Sequence, residues 1–143
     1  MGTTRFQTDA MTYFDTLKSS VEKNGSTHPV AVCYPKNGEP FAIVCEMKNR
    51  NELHGICEQL RAVVKAYDVE AVLWVQTTGV ILPSQDVTED ITGKFYSASV
   101  YQKDKPTWTY GWTYVRMDGV VEWIEEFCSD TKNISTQVLD LWS

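Results

Sequence analysis

No stretch of this chain approaches the ~18 consecutive apolar residues that a membrane-spanning helix requires. The first residues, Met1 to Phe14, also lack the apolar run of a secretory signal, so the expected compartment is the cytoplasm. Positive charge is short. Thirteen Lys and Arg stand against nineteen Asp and Glu, for a net charge of −6. A surface that follows phosphate backbones needs clustered cations, so this balance disfavours a nucleic-acid partner, while leaving room for a small basic groove. It also suits a basic partner. Histidine is scarce. With only His28 and His54, a His-based metal site or a Ser-His-acid triad would have to be built from one or both. No G-x-G-x-x-G, Walker A or G-x-S-x-G sequence occurs, so nucleotide-loop and hydrolase-elbow chemistry lack support. The acidic residues Asp86, Glu89 and Asp90 lack the ligand spacing of an EF-hand. The four cysteines, Cys33, Cys45, Cys57 and Cys128, include no C-x-x-C pair. That argues against zinc and thioredoxin-type sites and for four reduced thiols behaving as small apolar residues. No cofactor or metal is indicated.

What is present is a periodic pattern of helices and strands in 143 residues, the length of a single domain, 1–143. Thr4 and Gln7 fit a capping box, and Phe6, Ala10, Phe14, Leu17 and Val21 then form one helical stripe that Asn24-Gly25 closes. A β-hairpin follows, with strands over about 29–35 and 40–47. Read as a two-residue turn, Asn37-Gly38 places Cys33 opposite Ala42 and Val30 opposite Cys45. In that register Cys33 and Cys45 point to opposite faces and cannot bridge.

The organising stretch comes next. An amphipathic helix from Asn49 to about Ala66 carries Leu53, Ile56, Leu60, Val63 and Tyr67 on one face. The strand Ala71–Val75, AVLWV, has no polar alternation, so it should be buried on both faces. Residues 77–82 either extend it past a bulge at Gly79 or leave it, and 83–93 read as an acidic loop. A second hairpin pairs about 94–102 with 108–117, and its second strand puts Trp108, Tyr110, Trp112 and Tyr114 on one face. After the turn Asp118-Gly119, residues 120–126 fit a strand with Trp123 opposite Tyr114, and also fit a helix; the strand is the reading adopted. Ile134, Val138, Leu141 and Trp142 predict a short C-terminal helix.

The expected fold class is therefore α+β. It has an antiparallel sheet of five to six strands in the order α-β-β-α-β-β-β, helices mainly on one face, and a short C-terminal helix. This order resembles that of roadblock/longin and profilin-like domains. The PVAV strand, the Gly turn, the LRAVV helix (Leu60 to Val64) and AVLWV within residues 29–76 resemble a family of short, uncharacterised bacterial and phage proteins. That resemblance implies no activity.

Two groups of residues carry candidate functions. Glu46 and Lys48 end a strand as Glu-x-Lys, and Gln59-Leu60 lies on the following helix. This resembles the PD-(D/E)xK nucleases, in which the Glu helps to hold a divalent metal and the Lys positions water or stabilises charge. The Asp that the pattern needs on the preceding strand is missing, and a solvated charge pair is the plainer reading. The aromatic stripe is the other candidate. Bases stack on such stripes where Lys and Arg lie between the rings, and here only Lys105 and Arg116 are near. The stripe reads first as core and next as an interface, with Trp108 and Tyr110 as its contact residues. The leading expectation is a non-enzymatic domain acting through protein contacts or as a homo-oligomer. The alternative is a metal-dependent nuclease using Glu46 and Lys48.

Overall fold

AVLWV is where the molecule is organised. In the computed structural model, which describes residues 5–45, 52–83, 90–128 and 141–142, every residue from Ala71 to Val75 is buried. The element order is α1 (Arg5–Asn24), β1 (Val30–Pro35), β2 (Phe41–Val44), α2 (Leu53–Tyr67), β3 (Val69–Pro83), β4 (Asp90–Gln102), β5 (Trp108–Met117) and β6 (Val120–Cys128). The described strands form one open sheet in the order β2-β1-β3-β4-β5-β6, with every neighbouring pair antiparallel.

Burial on both faces of β3 needs cover on both faces, and the helices divide between them. Ala10, Phe14 and Val21 of α1 pack with Val32, Leu73 and Tyr96 on one face. Cys57, Leu60 and Val64 of α2 pack with Cys33, Val72 and Trp74 on the other. The expectation of helices mainly on one face is thus corrected. Successive apolar residues of a strand point to opposite faces, so a strand with no polar alternation needs a layer on each side.

α1 crosses its face diagonally. Near its start, Phe6 meets the ring of Tyr34 on β1 at 5.0 Å, and the Tyr34 hydroxyl donates to Asp9 at 2.6 Å. In the middle, Phe14 stacks on Tyr96 of β4 at 4.1 Å. Further on, the Lys18 ammonium lies 5.1 Å from the Trp123 ring of β6. At the end, Gly25 takes φ +81° and its N–H donates to the Val21 carbonyl at 2.7 Å, the left-handed stop the sequence suggests. The Tyr114 hydroxyl donates to the Gly25 carbonyl at 2.8 Å, tying this corner to β5.

The first hairpin is one residue out of the expected register. Val32 pairs with Ala42 and Cys33 with Phe41. A tight Asn-Gly turn of the primed type requires positive φ at both residues. Among the described residues, positive φ occurs only at Gly25, Asp68, Asp104, Asp118 and Gly119, so Asn37 and Gly38 do not make that turn. A one-residue slip exchanges the faces of a strand. Phe41, Ile43 and Cys45 accordingly join Cys33 and α2, while Ala42 and Val44 are exposed. Cys33 and Cys45 therefore share a face, yet all four thiols are free. The second tight turn behaves as expected, with Asp118 at φ 52° and Gly119 at φ 78°. Residues 120–128 are a strand, and Trp123 pairs with Tyr114.

β3 continues through Gly79 to Pro83 in an unbroken register with β4, which begins at Asp90, so residues 83 and 90–93 of the expected acidic loop are strand, and 84–89 lie outside the described residues. Leu141 and Trp142 reach the α2 side of the sheet, where Leu141 is buried and the Trp142 indole N–H donates to the Val69 carbonyl at 3.0 Å. These two residues are not helical, and the rest of the expected C-terminal helix lies outside the described residues. Among the described residues no helix is long and apolar enough to cross a membrane.

Candidate functional site

Glu46 and Lys48 lie outside the described residues. Among those described, no group of three or more His, Cys, Asp or Glu is placed to hold a metal ion. The histidines sit on different elements. His54 pairs with Glu58 one turn along α2 at 3.2 Å. His28 lines a polar hollow of about 420 Å³ before β1. The buried thiols are poorly suited to nucleophilic work. Burial, with a smaller contribution from Cys45, pushes Cys33 up to about 11, and burial also raises Cys45 and Cys57. A raised pKa removes the thiolate that does such chemistry.

The structure brings Trp108 and Tyr110 together on the α1 face, opposite Val100 and Ala98 of β4. Tyr114, at the other end of the stripe, is fully buried. Trp108, Tyr110 and Trp112 are half-buried, because the diagonal of α1 runs from β1 toward β6 and leaves the Trp108 corner less covered. Tyr110 is anchored within the molecule. Its hydroxyl donates to Glu126 at 2.5 Å and accepts the Trp112 indole N–H at 2.9 Å. Burial first, and then the Glu126 hydrogen bond, push Tyr110 up to about 12.

At one edge of the sheet, β6 carries Glu122, Glu125 and Glu126 and no cation. Its first half and the end of β5 leave large apolar side chains in water: Val120 is 67% exposed, Met117 60% and Ile124 49%. The pairing of β5 with β6 slips between Thr113 and Tyr114, which leaves Ile124 as the extra, bulged residue.

A concentration of positive charge lies at the far end of the sheet, on the α2 side. A cleft of about 650 Å³ opens between the β1–β2 turn, the C-terminal half of α2, the start of β3 and the β4–β5 turn. Five cations line it: Lys36, Arg61, Lys65, Lys103 and Lys105. Asp68 and Glu70 are the only acids among the described lining residues. Asp68 holds the corner. It sits at φ 51° at the end of α2, its N–H donates to Val64, and its carbonyl accepts the Lys36 N–H at 3.1 Å. The Lys36 ammonium lies 3.9 Å from its carboxylate. In the β4–β5 turn Lys103 and Lys105 line the cleft and Asp104 between them does not. Leu141 and Trp142 complete the wall, with the indole fixed by its bond to Val69.

The sequence reading did not identify this site. Lys36, Arg61 and Lys65, and Lys103 and Lys105 belong to three separate parts of the chain, and only the strand order brings them together. The local signal was the KDK turn, whose alternation can put two ammonium groups on one side. No family model matches this chain, and no curated protein or solved structure shows significant similarity to it.

Proposed function

We propose that this chain is a protein-contact domain whose β5–β6 hairpin receives an extended segment bearing Lys or Arg. The observation that carries this reading is the exposed trio Met117, Val120 and Ile124 around Glu122 at a sheet edge. Exposed apolar groups beside charge favour recognition over simple solvation, and an added strand is the usual way to use an edge. Carboxylates and a bulge are also devices that keep edges from indiscriminate pairing, so they make the edge selective. They disfavour a second copy here, because two β6 strands paired antiparallel about Ile124 would set Glu122 opposite Glu126, and like charges across a pair destabilise it.

The test uses a capped peptide of alternating Lys and Val, with an alternating Glu and Val peptide as control. Amide shifts on titration should appear in β5 and β6 with the basic peptide alone, and Glu122→Lys should abolish them. Absence of binding, or shifts elsewhere, overturns the reading. The half-buried corner at Trp108 favours self-association through Trp108 and Tyr110 as the second reading. Under that reading wild type sediments as a larger species and Trp108→Ser as a folded monomer; identical monomeric profiles remove it.

A further inference from the structure

Among the described residues that line the cleft between α2 and the β4–β5 turn, five cations stand against Asp68 and Glu70, a local excess of three positive charges in a chain whose net charge is −6. Like charges gathered around one hollow repel one another, and the arrangement is most stable when an anion neutralises them. Part of the cluster has a local explanation. Lys65 lies in the last turn of α2, where a cation complements the helix dipole, and Lys36 answers Asp68. Lys103 and Lys105 have no such local reason to face the same hollow.

We propose that this cleft binds a small organic phosphate, its phosphate groups among Arg61, Lys65, Lys103 and Lys105 and its organic body against the Trp142 indole. Three features select this class. The volume of about 650 Å³ suits a small molecule. A phosphate group carries about −1.5 to −2 charges, so two of them balance the excess, whereas a single carboxylate does not. Lysines serve as point-charge phosphate ligands, and the guanidinium adds a planar fork. A polynucleotide fits less well. The cations are confined to one end of the sheet, and a longer strand would carry its flanking phosphates over a surface with an acidic excess.

The test is equilibrium dialysis of the full chain with ATP and with inorganic pyrophosphate. The variants are Lys103→Glu/Lys105→Glu, two exposed turn residues, and Trp142→Phe and Trp142→Ala, with folding followed by circular dichroism. Saturable ATP binding is expected. It should weaken by at least about tenfold in the double variant, the scale of losing a charge-assisted contact, and weaken with added salt. Pyrophosphate should compete for the same site with lower affinity. Trp142→Ala should narrow the gap between the two ligands, and Trp142→Phe should largely keep it. Failure of wild type to bind either ligand, or undiminished binding in the folded double variant, overturns the proposal. Pyrophosphate binding as tightly as ATP overturns the role of Trp142. A single-stranded oligonucleotide binding more tightly than ATP at the same lysines overturns the small-molecule assignment.

Discussion

Gly111 shows how little slack single positions have. A Cβ built there would stand 2.6 Å from the Tyr96 carbonyl oxygen and 2.7 Å from the Phe95 ring. The carbonyl belongs to the neighbouring strand, so relief requires the backbone to move. Gly111→Ala should destabilise the fold by about 1–3 kcal/mol, the usual cost of overpacking, read as a lower denaturant midpoint at unchanged slope. An isolated glycine inside a strand is a recognised mark of close approach, a signal that the sequence reading did not use. Tyr114 was legible only in part. Its place in the aromatic stripe indicated burial, but its hydroxyl bond to Gly25, 89 residues away, could not be read locally. Tyr114→Phe leaves the carbonyl of the buried Gly25 without this donor and should cost about 1–3 kcal/mol, measured by the same unfolding curve.

Elements were recovered wherever period and punctuation agreed. The α1 stripe with its Gly25 stop and the Asp118-Gly119 hairpin depend on contacts within a few residues, whereas AVLWV pairs with distant β1 and β4 and was legible because an unbroken apolar run fits a strand covered on both faces. The β1–β2 register failed because Asn37-Gly38 has the composition of a primed turn without its backbone, and a single step changed the face of every residue in β2. The partition of helices failed for a different reason: which face a helix covers is decided by the path of the chain over the sheet edge. The cationic cleft was illegible on the same ground, since its lysines meet only after the strands are ordered. The two-layer arrangement has a measurable outcome. Phe14→Ala should cost about 3–5 kcal/mol and Leu60→Ala about 2–5 kcal/mol. The two cores lie on opposite sides of the sheet, so the losses should add to within about 0.5 kcal/mol in the double variant. A larger departure would show that the sheet passes strain from one core to the other.

For the whole molecule, alkali is a predictable weakness. Burial holds Cys33 up from 9.0 to about 11, with Cys45 contributing. Burial likewise raises Tyr114 from 10.0 to about 12, against the hydrogen bond from Thr77 that lowers it. Each group keeps its proton more tightly folded than unfolded. Its contribution is therefore complete below the unfolded value and is lost as pH rises through the folded one. The denaturant midpoint should hold up to about pH 9 and fall above it, and Cys33→Ala should flatten the fall between 9.0 and about 11. The diagonal path of α1 bears on something else, the order of events at the ribosome. The helix is made well before Tyr96, Tyr114 and Trp123, the groups it rests on. Tyr96 and Tyr114 bond to α1 and its cap across separations of 82 and 89 residues. At roughly 5–20 residues per second, α1 waits for seconds with Phe14 and Val21 lacking their final seat. A nascent chain stopped before β5 should bind a chaperone or a hydrophobic dye through this helix, and the signal should vanish once Trp123 has been added.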